Sequence, residues 1–230
     1  MQSLHPAFTS PRYREAILAT KPSRYFRCNE GSGVIIDQAG GANATIIGTP
    51  TKRAAVGPVG IADAGGLQTV NNGGAYASAG NASWAVGANG YTLMCWFYMT
   101  ATTNDRGLFG RWRFPNGAQI YSAGGGSTVS ALHQGVVTVT SGTLALNRWH
   151  HVAQTWDKST VRLYVNGSQI GTGAASATAP VNDTANWNIS TLNNNVLTNA
   201  MSGIISEAVL WPRALLAGEI AHFATLGFGR

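Results

Sequence analysis

The chain is predicted to be all-β, a two-sheet antiparallel jelly-roll sandwich carrying a short helix near each end. Three observations predict it. Val161, Leu163 and Val165 alternate with Arg162 and Tyr164, the period-two pattern of a half-buried strand. Asn166-Gly167 follows directly, and both residues tolerate the positive φ of a type I′ hairpin turn. Short apolar runs between polar turns recur along the chain, with no repeat at a fixed spacing that would signal a solenoid or a propeller.

In chain order, residues 1 to 11 read as an extended arm. Ser10 caps a short helix with Pro11 at its first position, running through Tyr13, Ala16 and Ile17 to Thr20, and Lys21-Pro22 ends it. Tyr25 to Cys28 is a first strand, and Asn29-Glu30-Gly31-Ser32-Gly33 a turn. Residues 34 to 90 are rich in Gly, Ala and Asn and predict brief strands joined by long loops. Tyr91 to Thr100 is a dense strand, followed by strands at Leu108 to Trp112, Ala118 to Tyr121, Val129 to Gln134 and Val136 to Thr140. Trp149 to Trp156 pairs with 161 to 165 across the turn residues Asp157 to Thr160. Gly171 to Pro180 reads as a small-residue loop, Trp187 to Ser190 as a short strand and Gly203 to Trp211 as the last strand. Arg213 to Thr225 is the terminal helix, with Leu215, Leu216, Ile220 and Phe223 facing inward.

Length and composition fit one domain of 230 residues, 44% of them hydrophobic. The domain proper is expected at 23–230, with residues 1–22 as an attachment arm. Only 10% of residues are charged, against about a quarter in an average soluble domain. A surface kept in solution by neutral polar groups suits a protein packed into an assembly. The net charge of +6 is uneven: Arg12, Arg14, Lys21, Arg24 and Arg27 face only Glu15 and Glu30 in the first thirty residues. No dense Lys/Arg run accompanies them, so nucleic acid is not the expected partner. Residues 1 to 20 hold no apolar core of a signal peptide and no run is long enough to span a membrane, so synthesis without a secretory signal is expected. Five Asn-x-Ser/Thr sequons, at Asn43, Asn81, Asn166, Asn182 and Asn188, then reflect the abundance of polar turns. Two cysteines, Cys28 and Cys95, read as small buried hydrophobes, with a bridge between neighbouring strands as the alternative.

Catalytic patterns are missing. Glycoside cleavage needs two carboxylates a few ångströms apart, yet the nine Asp and Glu contain no Glu-x-Asp-x-Glu spacing. Each is expected to tie a loop to an amide or an arginine. His150-His151 point to opposite faces of a strand and cannot share a metal, so they read as packing residues. No Gly-x-Ser-x-Gly elbow and no phosphate loop occur.

The order Tyr13-Arg-Glu-Ala-Ile-Leu18, Tyr25-Phe-Arg-Cys-Asn-Glu-Gly-Ser-Gly33, Asp37, Trp149-His-His-Val-Ala153, Leu163-Tyr-Val-Asn-Gly167 and Gly203-Ile-Ile-Ser-Glu-Ala-Val-Leu-Trp-Pro-Arg-Ala-Leu215 resembles the concanavalin A-like, laminin-G-like jelly roll. The resemblance spans residues 13 to 225. Its opening is similar to versions of this module in bacteriophage capsid and tail proteins. It implies a non-enzymatic virion protein displayed at the particle surface, in capsid decoration, stabilisation or a tail fibre. The alternative is a lectin-like module that binds a host-surface glycan. Attachment to a major capsid or tail protein, or to copies of itself, falls to the arm through Phe8, Arg12, Tyr13 and Arg14, burying Phe8 and Tyr13 on the neighbour. Arg111, Trp112 and Arg113 are the candidate ligand or interface residues, either as an exposed Trp112 flanked by arginines or as a core strand with arginines turned outward. The family often binds calcium through acidic residues. Here only Asp63 and Glu207 stand near those positions, weak calcium candidates that would need backbone carbonyls to complete a site; with so few carboxylates no cofactor is the expectation.

Overall fold

The computed structural model describes residues 13–53, 56–70, 74–83, 89–102, 105–113, 115–123, 125, 127–192 and 199–230. Among them lie two antiparallel sheets and two helices. The first sheet runs β13 (Ser168–Ala175), β12 (Thr160–Val165), β11 (Trp149–Trp156), β6 (Tyr91–Met99), β15 (Gly203–Trp211), β4 (Gly66–Thr69) and β3 (Thr51–Arg53), with β1 (Arg24–Phe26) also on β15. The second runs β10 (Val136–Thr140), β9 (Thr128–His133), β8 (Asn116–Ala123), β7 (Arg106–Arg113), β14 (Trp187–Ile189), β5 (Tyr76–Ser78) and β2 (Thr45–Ile47). Among the described residues no helix is long and apolar enough to cross a membrane.

The first sheet is covered on both faces, which explains the near-continuous apolar run of β6. Its Leu93, Cys95, Phe97 and Met99 enter the core between the sheets, against Phe109, Trp187 and Ile189. Met94 and Trp96 point the other way, into a second core beneath the helices α1 (Tyr13–Ala19) and α2 (Ala217–Gly227). The second core holds Tyr13, Ile17, Tyr25, Trp211, Ile220 and Phe223. Two buried indoles tie α1 down: Trp96 Nε1 donates to the Tyr13 hydroxyl at 2.9 Å, and Trp211 Nε1 to Thr20 Oγ1 at 2.8 Å.

Asn166 (φ 51°) and Gly167 (φ 86°) form the expected hairpin turn. The chain beyond them differs from expectation. Residues 171 to 175 continue as β13 rather than as loop, because the turn fixes the pairing and an edge strand open to water needs no apolar alternation. The terminal helix starts at Ala217, not at Arg213. Ala214 N–H donates to the Asn89 carbonyl and Leu215 N–H to Thr92 Oγ1, holding residues 213–216 extended along the sheet. Leu215 is buried as expected, but Leu216 is 72% exposed. The proposed cap Ser10 and Pro11 lie outside the described residues.

β15 carries a bulge between Ser206 and Val209, with Glu207 in the left-handed region at φ 53°. The extra residue resets the alternation, so Ile205, Ala208 and Leu210 all face the inter-sheet core. Cys28 and Cys95 are free and fully enclosed, and burial pushes both thiols up.

Candidate ligand-binding cleft

On the helix-bearing face of the first sheet, a cleft of about 600 Å³ opens where β6 ends and β11 begins. Tyr98 and Trp149 are cross-strand neighbours in its floor, ring centres 5.7 Å apart at 59°. Both keep some surface in contact with solvent. Asn147 and Arg148 border it from the turn before β11. Thr225, Phe228 and Arg230 close it at the end of α2, with Pro58 and Val59 beside them on the rim. Val59 is 93% exposed, an apolar side chain left at the lip.

The walls are fixed from several directions. Asn147 sits at φ 56° with its N–H on the Met99 carbonyl at 2.8 Å. Phe228 packs edge-on to Trp96 at 4.9 Å. Gly227 is required there, since a Cβ at that position would overlap the Trp96 indole. Gly60 N–H donates to the Gly227 carbonyl at 2.9 Å, clamping the Pro58–Val59 rim to the helix.

The His150 imidazole lies between two partners, the Ala145 carbonyl at 2.9 Å from Nε2 and the Asn166 amide at 3.2 Å from Nδ1. A carbonyl accepts only, so Nε2 carries the hydrogen and Nδ1 accepts from Asn166 Nδ2. Asn166 Oδ1 in turn accepts from His151 N–H at 3.0 Å. The hairpin residue that sets the strand register thus also anchors the cleft wall. His150 and His151 occupy opposite faces, as strand geometry requires. His151 is fully buried against Trp96, neither ring nitrogen has a partner among the described residues, and burial pulls its pKa down to about 3.

The residues singled out from the sequence do not converge on this cleft. Phe8 and Arg12 lie outside the described residues. Tyr13 does not reach a neighbour; it is 3% exposed and part of the second core. Arg14 stands exposed on α1, donating to Gln38 Oε1 at 3.0 Å. The segment 1–22 therefore divides, with residues 13–19 packed into the body of the fold. In β7 the side chains alternate against expectation. Arg111 is 1% exposed and turned inward, donating to the Ala185 carbonyl at 2.9 Å and Asn182 Oδ1 at 2.9 Å, with Asp183 beside it at 3.5 Å. It pins the loop before β14 and offers nothing to a ligand. Trp112 is half-buried beside Tyr121, Leu132 and Leu192, and Arg113 alone points outward, to Thr184.

Glu207 is wholly buried, paired with Arg27 Nε at 3.2 Å and with the Tyr25 hydroxyl. Burial outweighs these donors and pushes its carboxyl up to about 7. The Arg27 guanidinium also donates to the Ala62 and Asp63 carbonyls at 3.0 and 3.2 Å. Arg27 thereby supplies the cation among the oxygens of Asp63 and Glu207, and no group of three metal-ligating side chains forms among the described residues. Other carboxylates are tied in the same way: Asp37 to Arg24 and the Tyr25 amide, Asp157 to Arg162, Glu219 to Arg213 and the Leu216 amide, and Glu30 to the Ile36 amide.

The sequence also hides a buried polar chain. Gln154 Nε2 donates to the Tyr91 hydroxyl at 2.8 Å, Tyr91 to His133 Nδ1 at 2.8 Å, and His133 Nε2 to the Thr178 carbonyl at 2.8 Å. Burial lowers the His133 pKa. Its members come from β6, β9, β11 and a loop, and no local spacing announces them.

Residues 71–221 match the model of the concanavalin A-like lectin/glucanases superfamily. No curated protein matches the chain. Among solved structures it is similar to domain 4 of AbnA, a GH43 extracellular arabinanase from Geobacillus stearothermophilus, in complex with arabinotriose. That match has a TM-score of 0.66 at 17% identity and covers 89% of this chain and 98% of that one. The Trypanosoma rangeli sialidase matches with a TM-score of 0.63 at 16% identity, over 88% of this chain and 32% of its own. The binding domain of botulinum neurotoxin serotype G matches with a TM-score of 0.64 at 13% identity, over 88% and 50%. The chain thus spans one domain of the arabinanase and a part of the larger proteins.

Proposed function

The chain belongs to the concanavalin A-like lectin/glucanases superfamily, and from that premise we propose that it is a non-catalytic carbohydrate-binding domain with its ligand in the Tyr98–Trp149 cleft. One observation carries the reading. Two aromatic rings, still open to solvent, sit in a preformed hollow bordered by the exposed polar side chains of Asn147, Arg148 and Asn166. Sugar rings present C–H faces that stack on aromatic planes and hydroxyls that seek fixed donors and acceptors. The fold likeness to an arabinanase domain bound to arabinotriose supports the class of ligand, not its identity. The carboxylates engaged with arginines and amides support a role without catalysis.

A glycan array probed with the purified protein tests this. Selective binding that disappears in Trp149→Ala, with the unfolding midpoint retained, is the expected result. An array without any signal removes the reading.

A second reading makes the domain a bacteriophage virion component, displayed on a capsid or tail and attached through its N-terminal segment. The low charge content, 10% of residues, supports packing into an assembly. Tyr13 and Ile17 being internal, attachment rests on residues 1–12 and the exposed Arg14. Cryo-electron microscopy of purified particles tests it: density for this domain on the particle supports the reading, and absence from every particle ends it.

A further inference from the structure

We infer, resting on the carbohydrate-binding reading above, that the cleft takes a saccharide bearing a carboxylate, with Arg148 meeting the acid. The fold satisfies its structural arginines internally. Arg24, Arg27, Arg111, Arg162 and Arg213 each stand within 4.0 Å of a carboxylate. A second cleft of about 630 Å³ on the same face follows that rule, its Arg162 closed by Asp157 at 2.5 Å. The Tyr98–Trp149 cleft breaks it. Arg148 is exposed and makes no ion pair among the described residues, and no carboxylate side chain lines the hollow. Arg230 adds a second guanidinium, held over Phe228 at 5.5 Å.

Position matters as much as charge. Arg148 directly precedes Trp149, and Asn147 fixes the turn through the Met99 carbonyl. A sugar ring lying on Trp149 therefore brings its substituents to the arginine. A guanidinium offers two parallel N–H groups matching both oxygens of a carboxylate, and these bonds are charge-assisted by both partners, which bonds to a neutral sugar's hydroxyls are not.

The test is calorimetric titration with two matched pairs: trigalacturonate against galactotriose of the same linkage, and sialyllactose against lactose. At least one acid is expected to bind about tenfold or more tightly than its neutral partner, and the gap should narrow at high salt. Arg148→Gln should erase the gap at an unchanged unfolding midpoint, Arg148→Lys should restore part of it, and Trp149→Ala should abolish binding of both partners. Neutral sugars binding as well as the acids, or an unaltered gap in Arg148→Gln, overturns the inference while leaving the carbohydrate reading intact. Absence of binding by these four together with a blank glycan array overturns both. A single-stranded oligothymidylate that binds more tightly than either acid and displaces it overturns the assignment to saccharide.

Discussion

The indole of Trp96, in the middle of β6, donates a 2.9 Å hydrogen bond to the hydroxyl of Tyr13, in the first turn of α1. The two residues are 83 positions apart, both buried, and the bond leaves no polar atom of that indole unmet. Tyr13→Phe strands the donor in an apolar core and should cost about 1–3 kcal/mol in urea unfolding. Deletion of residues 1–12 should leave a cooperative transition, while deletion of residues 1–20 should abolish it. A folded protein after the longer deletion would show that α1 is dispensable.

His151 gives stability a pH dependence of known sign. The unfolded chain binds this proton below about 6.5, but the buried ring resists it to about 3. The contribution is therefore complete above pH 6.5 and lost as the pH falls. From about pH 7 to pH 5 the parent should lose about 2 kcal/mol more stability than His151→Leu. Equal losses in chemical denaturation would place water or a partner beside the imidazole.

Arg27 and Glu207 form a buried pair, and removing one partner should be severe. Arg27→Met is expected to destabilise by about 3–5 kcal/mol at alkaline pH. Glu207 already binds its proton more tightly folded than unfolded, its carboxyl raised to about 7 from the usual carboxylate range. Its protonation therefore favours folding as the pH drops below 7, and the deficit of the variant should shrink toward pH 5. Thermal unfolding across that range checks the trend.

The same pair makes a prediction about calcium. Arg27 already engages Glu207 and the carbonyls of Ala62 and Asp63. Adding millimolar calcium or chelator should leave the melting temperature of the parent unchanged. A rise with calcium would place a site elsewhere.

Gly227 couples the fold to the cleft. Gly227→Ala drives a methyl into the Trp96 indole and should cost about 1–3 kcal/mol. Phe228 must move with it, so glycan binding should weaken beyond the change in stability. Titration at a temperature where the variant is fully folded separates the two effects.

Much of the architecture was legible in the chain. The Asn166-Gly167 turn, the alternation of β12 and the order of the later strands depend on local backbone preference and period-two patterning, which a sequence displays directly. β13 was hidden because an exposed edge strand needs no apolar alternation, and the start of α2 because Asn89 and Thr92 compete for residues 213–216 from far away. The site was less legible. Trp149, His150 and Asn166 were prominent as fold markers, but nothing local joins them to Tyr98 and Phe228. Arg111 misled for the converse reason: a strand residue flanked by Gly110 and Trp112 reads as surface until its inward turn finds Asp183.

By itself, then, the sequence determined the sandwich, its hairpin and the opposed faces of His150 and His151, because these follow from short-range sterics and strand periodicity. Only the tertiary structure decided which arginines are spent on internal carboxylates and which face an open aromatic hollow. Charge pairing depends on distances between residues far apart in the chain, and folding alone sets those distances.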